Sequence, residues 1–583
     1  MILMKINNLL SLTVSLLLIL SSSNTFSQTT TNNVDNPVEY FNKRTRALRL
    51  AKGEHWKELI PIGESLTRQY QMDGDLFYIL GLSYYETEQY QKAIRAFTRT
   101  LELGGTIQVI PTGSRPSNDI MIKIAKAYAL DGDKASAMVW LKKGFAYRYD
   151  EKPFLKGDPA FQAFNQDEDF LQLFGIKNQV DMTREESWTN DLDYLQKRIV
   201  EMHYNLDDVI TKEELNALFE ELKSSVNALS DEQIIVEIMK IMGSLGSGHN
   251  FIIPTSSKVG ALKKLPVQMY QFNDGMFIVD AEEGFEPWFG YKLEKIGDTP
   301  IEEALEKTKV VNALDNEMQT LWQGPYFLVM PDVLKGLGII ENEKQVTFTL
   351  SSPEGKSQKL TLEPISWNFT GFPKIPPLKK EPQPLYLSKM NDIFWYESIL
   401  EDHAVYIQFN NVQDKDDQSL EDFTAEIQNQ IDQKKTQFLI LDLRHNSGGN
   451  GAIRNHMLKL LVTFEVRNPE GKIFVITGRG TYSAAQNLLT EISAQTDAVL
   501  VGEPSSSKPS FIGEAGWFQL PYSGLMGIVA SQYHKSSEAE DFRNWIAPHM
   551  PVSLSSTAYF NGEDMAMNVV TELIKTFEKE HKK

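Results

Sequence analysis

"KIFVITGRGTYSAAQN" (residues 472–487) passes from an apolar run through two glycines into a segment with helical periodicity. The run 472–477 reads as a buried strand closed by a glycine turn. From Ser483 onward, Ala485, Leu488, Leu489 and Ile492 recur on one helical face. A strand that turns straight into a helix is half of a βαβ unit, and it leaves the Ser483 hydroxyl at the junction. Two readings are open there. Serine is a common helix N-cap, and a hydroxyl at a strand–helix turn is also placed to act as a nucleophile.

The pattern repeats around this stretch. "AVYIQFN" (404–410), "FLILDL" (438–443) and "AVLVGE" (498–503) read as further strands. "SLEDFTAEIQNQI" (419–431) and "IRNHMLKLL" (453–461) read as the helices between them. Strands alternating with helices predict a mainly parallel, covered sheet over residues 385–578. "LDLRHNSGGNG" (441–451) ends its strand in Gly448 and Gly449, whose freedom lets backbone N–H groups face a crevice. Such groups, with the N–H of Ala484, are candidate oxyanion donors. "GSGHNF" (246–251) adds a histidine in a glycine-rich turn.

The chain has 583 residues, too many for one core. A net charge of −20 excludes the basic face of a nucleic-acid binder. Cysteine is absent, which removes disulfides, thiolate metal sites, a Cys nucleophile and a lipid anchor on an N-terminal Cys. Residues 1–28 carry one Lys, an apolar run of 12 residues and a small polar end, and read as a signal peptide. An exported protein, periplasmic or extracellular, with no integral membrane segment after signal removal is the expectation.

Residues 37–176 read as helical repeats. Phe77, Leu80, Gly81, Tyr84, Ala93, Phe97 and Thr100 fall at tetratricopeptide spacing. Ala125, Tyr128, Ala137, Leu141 and Gly144 repeat the offsets, with "IQVIPTGSRPSN" (107–118) as an inserted loop. "FLKGDPAFQAFNQDEDFLQLF" (154–174) reads as a closing helix pair. Such solenoids bind partner proteins or peptides. A helical subdomain over 183–257 ends in the Gly-Ser-Gly-His-Asn turn. Residues 258–375 are β-rich, with a hairpin at "SPEG", and resemble a PDZ domain, although no carboxylate-binding loop is recognisable.

From about 185 to 580 the ordered motifs "GSGHNF", "DLRHNSGGNG", "TGRGTYSAAQN", "VGEPSSSKPSFIGE", "LPYSGL" and "YFNGED" resemble the serine peptidases of the C-terminal-processing (tail-specific) and tricorn type. The resemblance implies a ClpP/crotonase-like α/β core and hydrolysis of polypeptides with Ser483 as nucleophile. It implies oxyanion donors at Gly448, Gly449 and Ala484, supported by Ser247, Arg444 and Asn446. It implies no cofactor.

Two residues compete as base. His249 matches the tricorn branch, and an imidazole titrates near neutrality without tuning. In that branch an acidic residue of "SSEAEDFRNWIAP" belongs to the relay, and Asp541 fits best, beside Glu538 and Glu540. Lys508 follows Ser483 by 25 residues, as in the Ser/Lys dyad of the processing proteases, and would need a depressed pKa. The presence of His249 ranks that residue first. His549, Ser505–Ser507 and Asn250 depart from the family pattern, which leaves a catalytically inactive, peptide-binding relative as a further alternative. A metal enzyme finds no support: His249, His445 and His456 lie in no ligand spacing.

Overall fold

The computed structural model describes residues 36–104, 117–176, 182–372, 374–434 and 436–581. The signal segment and most of the loop at 107–118 lie outside the described residues. The chain divides into two compact units, at 1–112 and 113–583. This division falls inside the expected repeat region.

Among the described residues the first unit holds four helices: α1 (Pro37–Lys52), α2 (Trp56–Gln69), α3 (Gly74–Glu86) and α4 (Tyr90–Leu103). Asn36 and Asp73 cap α1 and α3 through their side chains. Gly81 admits Phe97 between α3 and α4. A methyl at Gly81 would lie 2.6 Å from the Phe97 ring, so the small residue is what lets the helices close.

The second unit begins with the pair α5 (Ser117–Leu130) and α6 (Lys134–Ala146). Gly144 meets Ile122 there in the same way. The expected closing helix pair is not a helix pair. Residues 152–164 form two 3₁₀ turns and only Glu168–Gln172 is α-helical. Pro153, Gly157 and Pro159 interrupt any longer helix, and the tilted and edge-on ring contacts of Phe161, Phe164, Phe170 and Phe174 supply the packing instead.

Helices α7 (Arg184–Met202), α8 (Lys212–Ser225) and α9 (Asp231–Gly243) follow, each opened by a capping box from Thr183, Thr211 or Ser230. Strand β1 (Phe251–Ile253) leaves the turn after α9. The β-rich segment is an antiparallel sheet of β2 (Val267–Phe272), β3 (Gly275–Ala281), β4 (Lys292–Ile296), β6 (Val346–Ser351) and β7 (Ser357–Leu362), in that order. Short β5 (Thr299–Pro300) pairs with β4. The β6–β7 hairpin turns at "SPEG". Between β5 and β6 the chain departs from the β-rich expectation. It forms α10 (Ile301–Lys307), α11 (Glu317–Phe327) and α12 (Pro331–Gly336). Tyr326, Phe327, Met330 and Val333 from this stretch share one core with the helical subdomain.

The α/β core is a six-stranded sheet: β8 (Phe394–Ile399), β9 (Ala404–Phe409), β10 (Phe438–Asp442), β11 (Lys472–Thr477), β12 (Val499–Gly502) and β17 (Met550–Pro551). All pairings are parallel except β8 with β9. Helices α13 (Leu420–Lys434), α14 (Asn455–Arg467) and α15 (Ala484–Gln495) cover one face, and α16 (Met565–His581) the other. Both faces are buried, which is why the strands read as continuous apolar runs.

One excursion joins this core to the helical subdomain. Strands β13 (Phe511–Gly513) and β16 (Gln532–His534) pair with each other, and β14 (Gly516–Gln519) and β15 (Met526–Val529) form a hairpin to which β1 adds. Phe251 stands opposite Ile528. Buried Asp191 on α7 accepts from the backbone N–H groups of Tyr522 and Ser523 and from the Ser523 hydroxyl, at 2.7–2.8 Å.

Candidate active site

Ser483 sits at the N-cap position of α15 but makes no capping hydrogen bond. Its backbone lies at φ 53°, ψ −124°, a region non-glycine residues rarely adopt. The hydroxyl is instead turned toward His249, with Oγ 3.0 Å from Nε2. Local chain geometry alone would have favoured a cap. The tertiary partner decides otherwise.

The turn that carries His249 is held from several sides. Gly246 and Ser247 both have positive φ. The Ser247 hydroxyl donates to the Ile512 carbonyl at 2.5 Å. Asn250 is buried, donates to the Gly246 carbonyl (2.6 Å) and accepts from the Ala530 N–H (2.8 Å). The departure at Asn250 is thus a clamp between the turn and the 511–534 excursion. The Gly248 N–H donates to Asp315 Oδ1 at 2.9 Å.

The imidazole lies between two nearly parallel rings, Tyr482 at 4.6 Å and Phe511 at 5.3 Å between centroids. The Tyr482 hydroxyl is 2.7 Å from Nδ1. Burial, then the nearby His534, pushes the His249 pKa down to about 3, partly opposed by the Ile512 carbonyl. The ring is therefore neutral near pH 7, and a proton on Nδ1 would leave the Nε2 lone pair facing Ser483. Burial and the Asp315 charge keep the Tyr482 hydroxyl un-ionised.

Asp315 lies between α10 and α11. It also accepts from the Ser507 hydroxyl at 2.9 Å. Burial raises its pKa to about 6, opposed by the Gly248 and Ser507 hydrogen bonds and by the charge of Lys508. Gln319 lies over Gly248, where an added methyl would meet its amide at 2.2 Å.

The glycine turn sits against Ser483. Gly448 has φ 109°, and a methyl there would lie 2.6 Å from Ser483 Cβ, 2.9 Å from the Ala484 nitrogen and 3.1 Å from Ser483 Oγ. The Gly448 N–H is already used, donating to Asn446 Oδ1 at 3.0 Å. Among the described residues the N–H groups of Gly449 and Ala484 have no acceptor. The donor pair is therefore Gly449 and Ala484, with Gly448 supplying clearance. Asn446 also donates to the Phe409 carbonyl and accepts from the Tyr482 N–H, tying the two turns together. Arg444 is partly buried, is paired with Asp442 and Asp564 at 2.8–2.9 Å and lies over the Tyr386 ring. Its role is to anchor the strand end. A cavity of about 80 Å³ adjoins the turn, lined in part by Ser447, Gly480 and Trp322, and Trp322 also packs on Tyr482.

Two expected participants are not brought to Ser483. Lys508 is exposed, and among the described residues its charge bears on Asp315 rather than on the serine. The "SSSKPS" turn aims its serines inward, so the lysine points out: Ser505, Ser506 and Ser507 are fully buried. None of the three has positive φ, so glycine is not required there. Asp541 is paired with Arg543 at 2.8 Å, which holds its carboxyl down to about 2. No hydrogen bond joins Asp541 to His249. His549 accepts from the Leu500 N–H at 3.1 Å. Among the described residues no cluster of His, Asp and Glu could hold a metal.

Sequence reasoning missed Tyr482, Asp315 and Phe511. Tyr482 was readable only through its adjacency to Ser483. Asp315 carried no signal, because nothing in "NALDNEM" connects it to a histidine 66 residues upstream.

No family model matches the chain, and no curated relative does. Solved structures similar to it include mature CPAF, at 12% identity and TM-score 0.48, covering 68% of this chain and 98% of that one. The photosystem II D1 C-terminal processing protease is similar at 11% identity and TM-score 0.31, covering 66% and 99%. The tricorn protease is similar at 13% identity and TM-score 0.32, covering 68% and 37%.

Proposed function

We propose that the chain is a serine peptidase that cleaves polypeptides through an acyl-enzyme. The carrying observation is the 3.0 Å contact between His249 Nε2 and the hydroxyl of a backbone-strained Ser483. Ser483 Oγ attacks the scissile carbonyl carbon while its proton passes to Nε2. The oxyanion forms against the Gly449 and Ala484 N–H groups. The imidazolium that results carries the serine's proton on Nε2 and keeps its original proton on Nδ1, from which it donates a hydrogen bond to the Tyr482 hydroxyl oxygen. Collapse expels the amine, protonated from Nε2, and water then attacks the ester by the reverse relay.

Tyr482 stands where a carboxylate commonly orients such a histidine. Buried Asp315 lies one step further back, bonded to the histidine's own turn. The assignment of His249 as base is favoured over Lys508 because the imidazole contacts the Ser483 hydroxyl while the lysine is exposed.

The finer reading extends to the flanking segments. The N-terminal 28 residues direct export, to the periplasm or outside the cell. The helical pairs of 37–176 act as a tetratricopeptide-like surface for a substrate or partner protein. The 258–375 sheet takes an extended peptide by strand addition. Among the described residues no helix is long and apolar enough to cross a membrane.

The test is labelling with a serine-directed fluorophosphonate. Modification of Ser483, kept in Lys508→Ala and lost in His249→Ala, is expected. An unmodified Ser483 in folded protein across pH 5–9 would favour the inactive, peptide-binding alternative.

A further inference from the structure

Away from Ser483, a cleft of about 660 Å³ opens between the 152–176 segment and α7. Two cations lie deep in it. Arg198 is 1% exposed and Lys152 is 7% exposed. Arg198 donates to two neutral acceptors, the carbonyls of Trp517 (3.2 Å) and Tyr149 (3.3 Å). Glu201 forms a loose ion pair with Nη1 at 3.8 Å, beyond hydrogen-bond range, from a side chain that is 40% exposed, and the Asp150 carboxyl bears on Arg198 through charge alone. The Lys152 ammonium packs over the rings of Phe145 (4.8 Å) and Tyr194 (5.8 Å). Among the described residues it has no ion pair and no hydrogen-bond acceptor.

Two buried like charges whose counter-charges are a loose, part-exposed ion pair and a carboxyl that makes no hydrogen bond to them are unfavourable. The other acids lining the cleft do not relieve this. Glu168 and Asp193 are exposed, and Asp193 is paired with Lys223 at 2.7 Å. Burial, then the Arg198 charge, pushes the Lys152 pKa down to about 8. The donor count is in surplus as well. Three N–H bonds on Lys152 and those of Arg198 Nη1 lack a hydrogen-bonded acceptor. Asn190, Gln172, Leu171 and Tyr194 add amide and apolar walls.

We infer that this cleft is a binding site for an anionic group, a carboxylate or a phosphate, held by Lys152 and Arg198. The ligand supplies the hydrogen-bond acceptors that Lys152 and Arg198 Nη1 lack, and a negative charge closer to Lys152 than Glu201 provides. The site is separate from Ser483 and does not depend on the peptidase reading.

Titration calorimetry on the full chain at pH 7 and low salt tests this with three probes. They are inorganic phosphate, N-acetyl-triglycine and its C-terminal amide, used on Ser483→Ala protein so that the peptides stay intact. Saturable binding of phosphate or of the free carboxylate is expected, weakened about tenfold or more by Lys152→Met. Which probe binds tells a phosphate ligand from a peptide carboxylate. No binding of any probe at millimolar concentration overturns the proposal. So does binding indifferent to Lys152→Met, or an amide that binds as well as the acid. A second measurement needs no variant. The bound probe should slow acetylation of Lys152 by an amine-reactive ester, read by mass spectrometry, and an unchanged rate at saturation overturns the site.

Discussion

Gly448→Ala probes the oxyanion geometry while leaving Ser483 and His249 themselves unreplaced. The added methyl has no free volume. It would lie 2.6 Å from Ser483 Cβ, 2.9 Å from the Ala484 nitrogen and 3.1 Å from Ser483 Oγ. Those distances put it where an oxyanion would accept from Ala484, since such donors work at about 2.7–3.1 Å. The backbone adds a second penalty, because φ of 109° is costly for any residue with a Cβ, on the order of 1–3 kcal/mol. Loss of one oxyanion donor costs about 10²- to 10³-fold in rate, so the fluorophosphonate labelling rate and casein hydrolysis should both fall by at least that factor. Stability should fall by the backbone strain and the overpacking together, about 2–6 kcal/mol. Gly451→Ala is the control. A methyl there meets nothing closer than 3.6 Å, and no positive φ is needed. It should behave as wild type. If Gly448→Ala folds and hydrolyses casein within about threefold of the wild-type rate, the substrate carbonyl does not sit over this turn, and the oxyanion reading is wrong.

Three further outcomes follow from the same geometry. Tyr482→Phe keeps the stacked ring but removes the hydroxyl at His249 Nδ1, so kcat should drop about tenfold to a hundredfold with KM little changed; an unchanged kcat would show that the hydroxyl does not orient the imidazole. Asp315→Ala strands the Gly248 N–H and the Ser507 hydroxyl and should lower labelling of Ser483 more than Asp315→Asn, which keeps one acceptor; equal losses in the two variants would assign the carboxylate's charge, which both remove, the main role. Burial raises Asp191 to about 6, above the roughly 3.9 of an unfolded chain. The folded state therefore takes up this proton first, and stability from this group rises as pH falls from about 7 toward 4. The urea midpoint of wild type should gain on that of Asp191→Asn over that interval, and a loss would contradict the assignment.

The α/β core was legible because its signals are local. Buried parallel strands must be continuous apolar runs, and covering helices must show one apolar face, so "FLILDL", "KIFVIT" and the helix after Ser483 announced their states by composition alone. The crossing glycines at 81 and 144 were equally readable, since close helix contact needs a small residue at fixed spacing. The 154–174 stretch was less so, because its aromatic spacing imitates a helix while its prolines forbid one.

The sequence by itself determined which residue types stand at strand ends and helix starts: Ser483 at a junction, two glycines after β10, a histidine after α9. It could not say whether Ser483 caps its helix or faces a base, because both uses need the same local residues. Only the tertiary structure decided that, by laying the 511–534 excursion against α7 and β1 and so carrying His249 across 234 residues of chain to 3.0 Å from the hydroxyl. The same long-range packing brought in Asp315 from an insert with no motif, and left Lys508 and Asp541 outside, though spacing and resemblance had put them in. Proximity across such separations is set by how cores pack, and packing leaves no periodic trace in the chain.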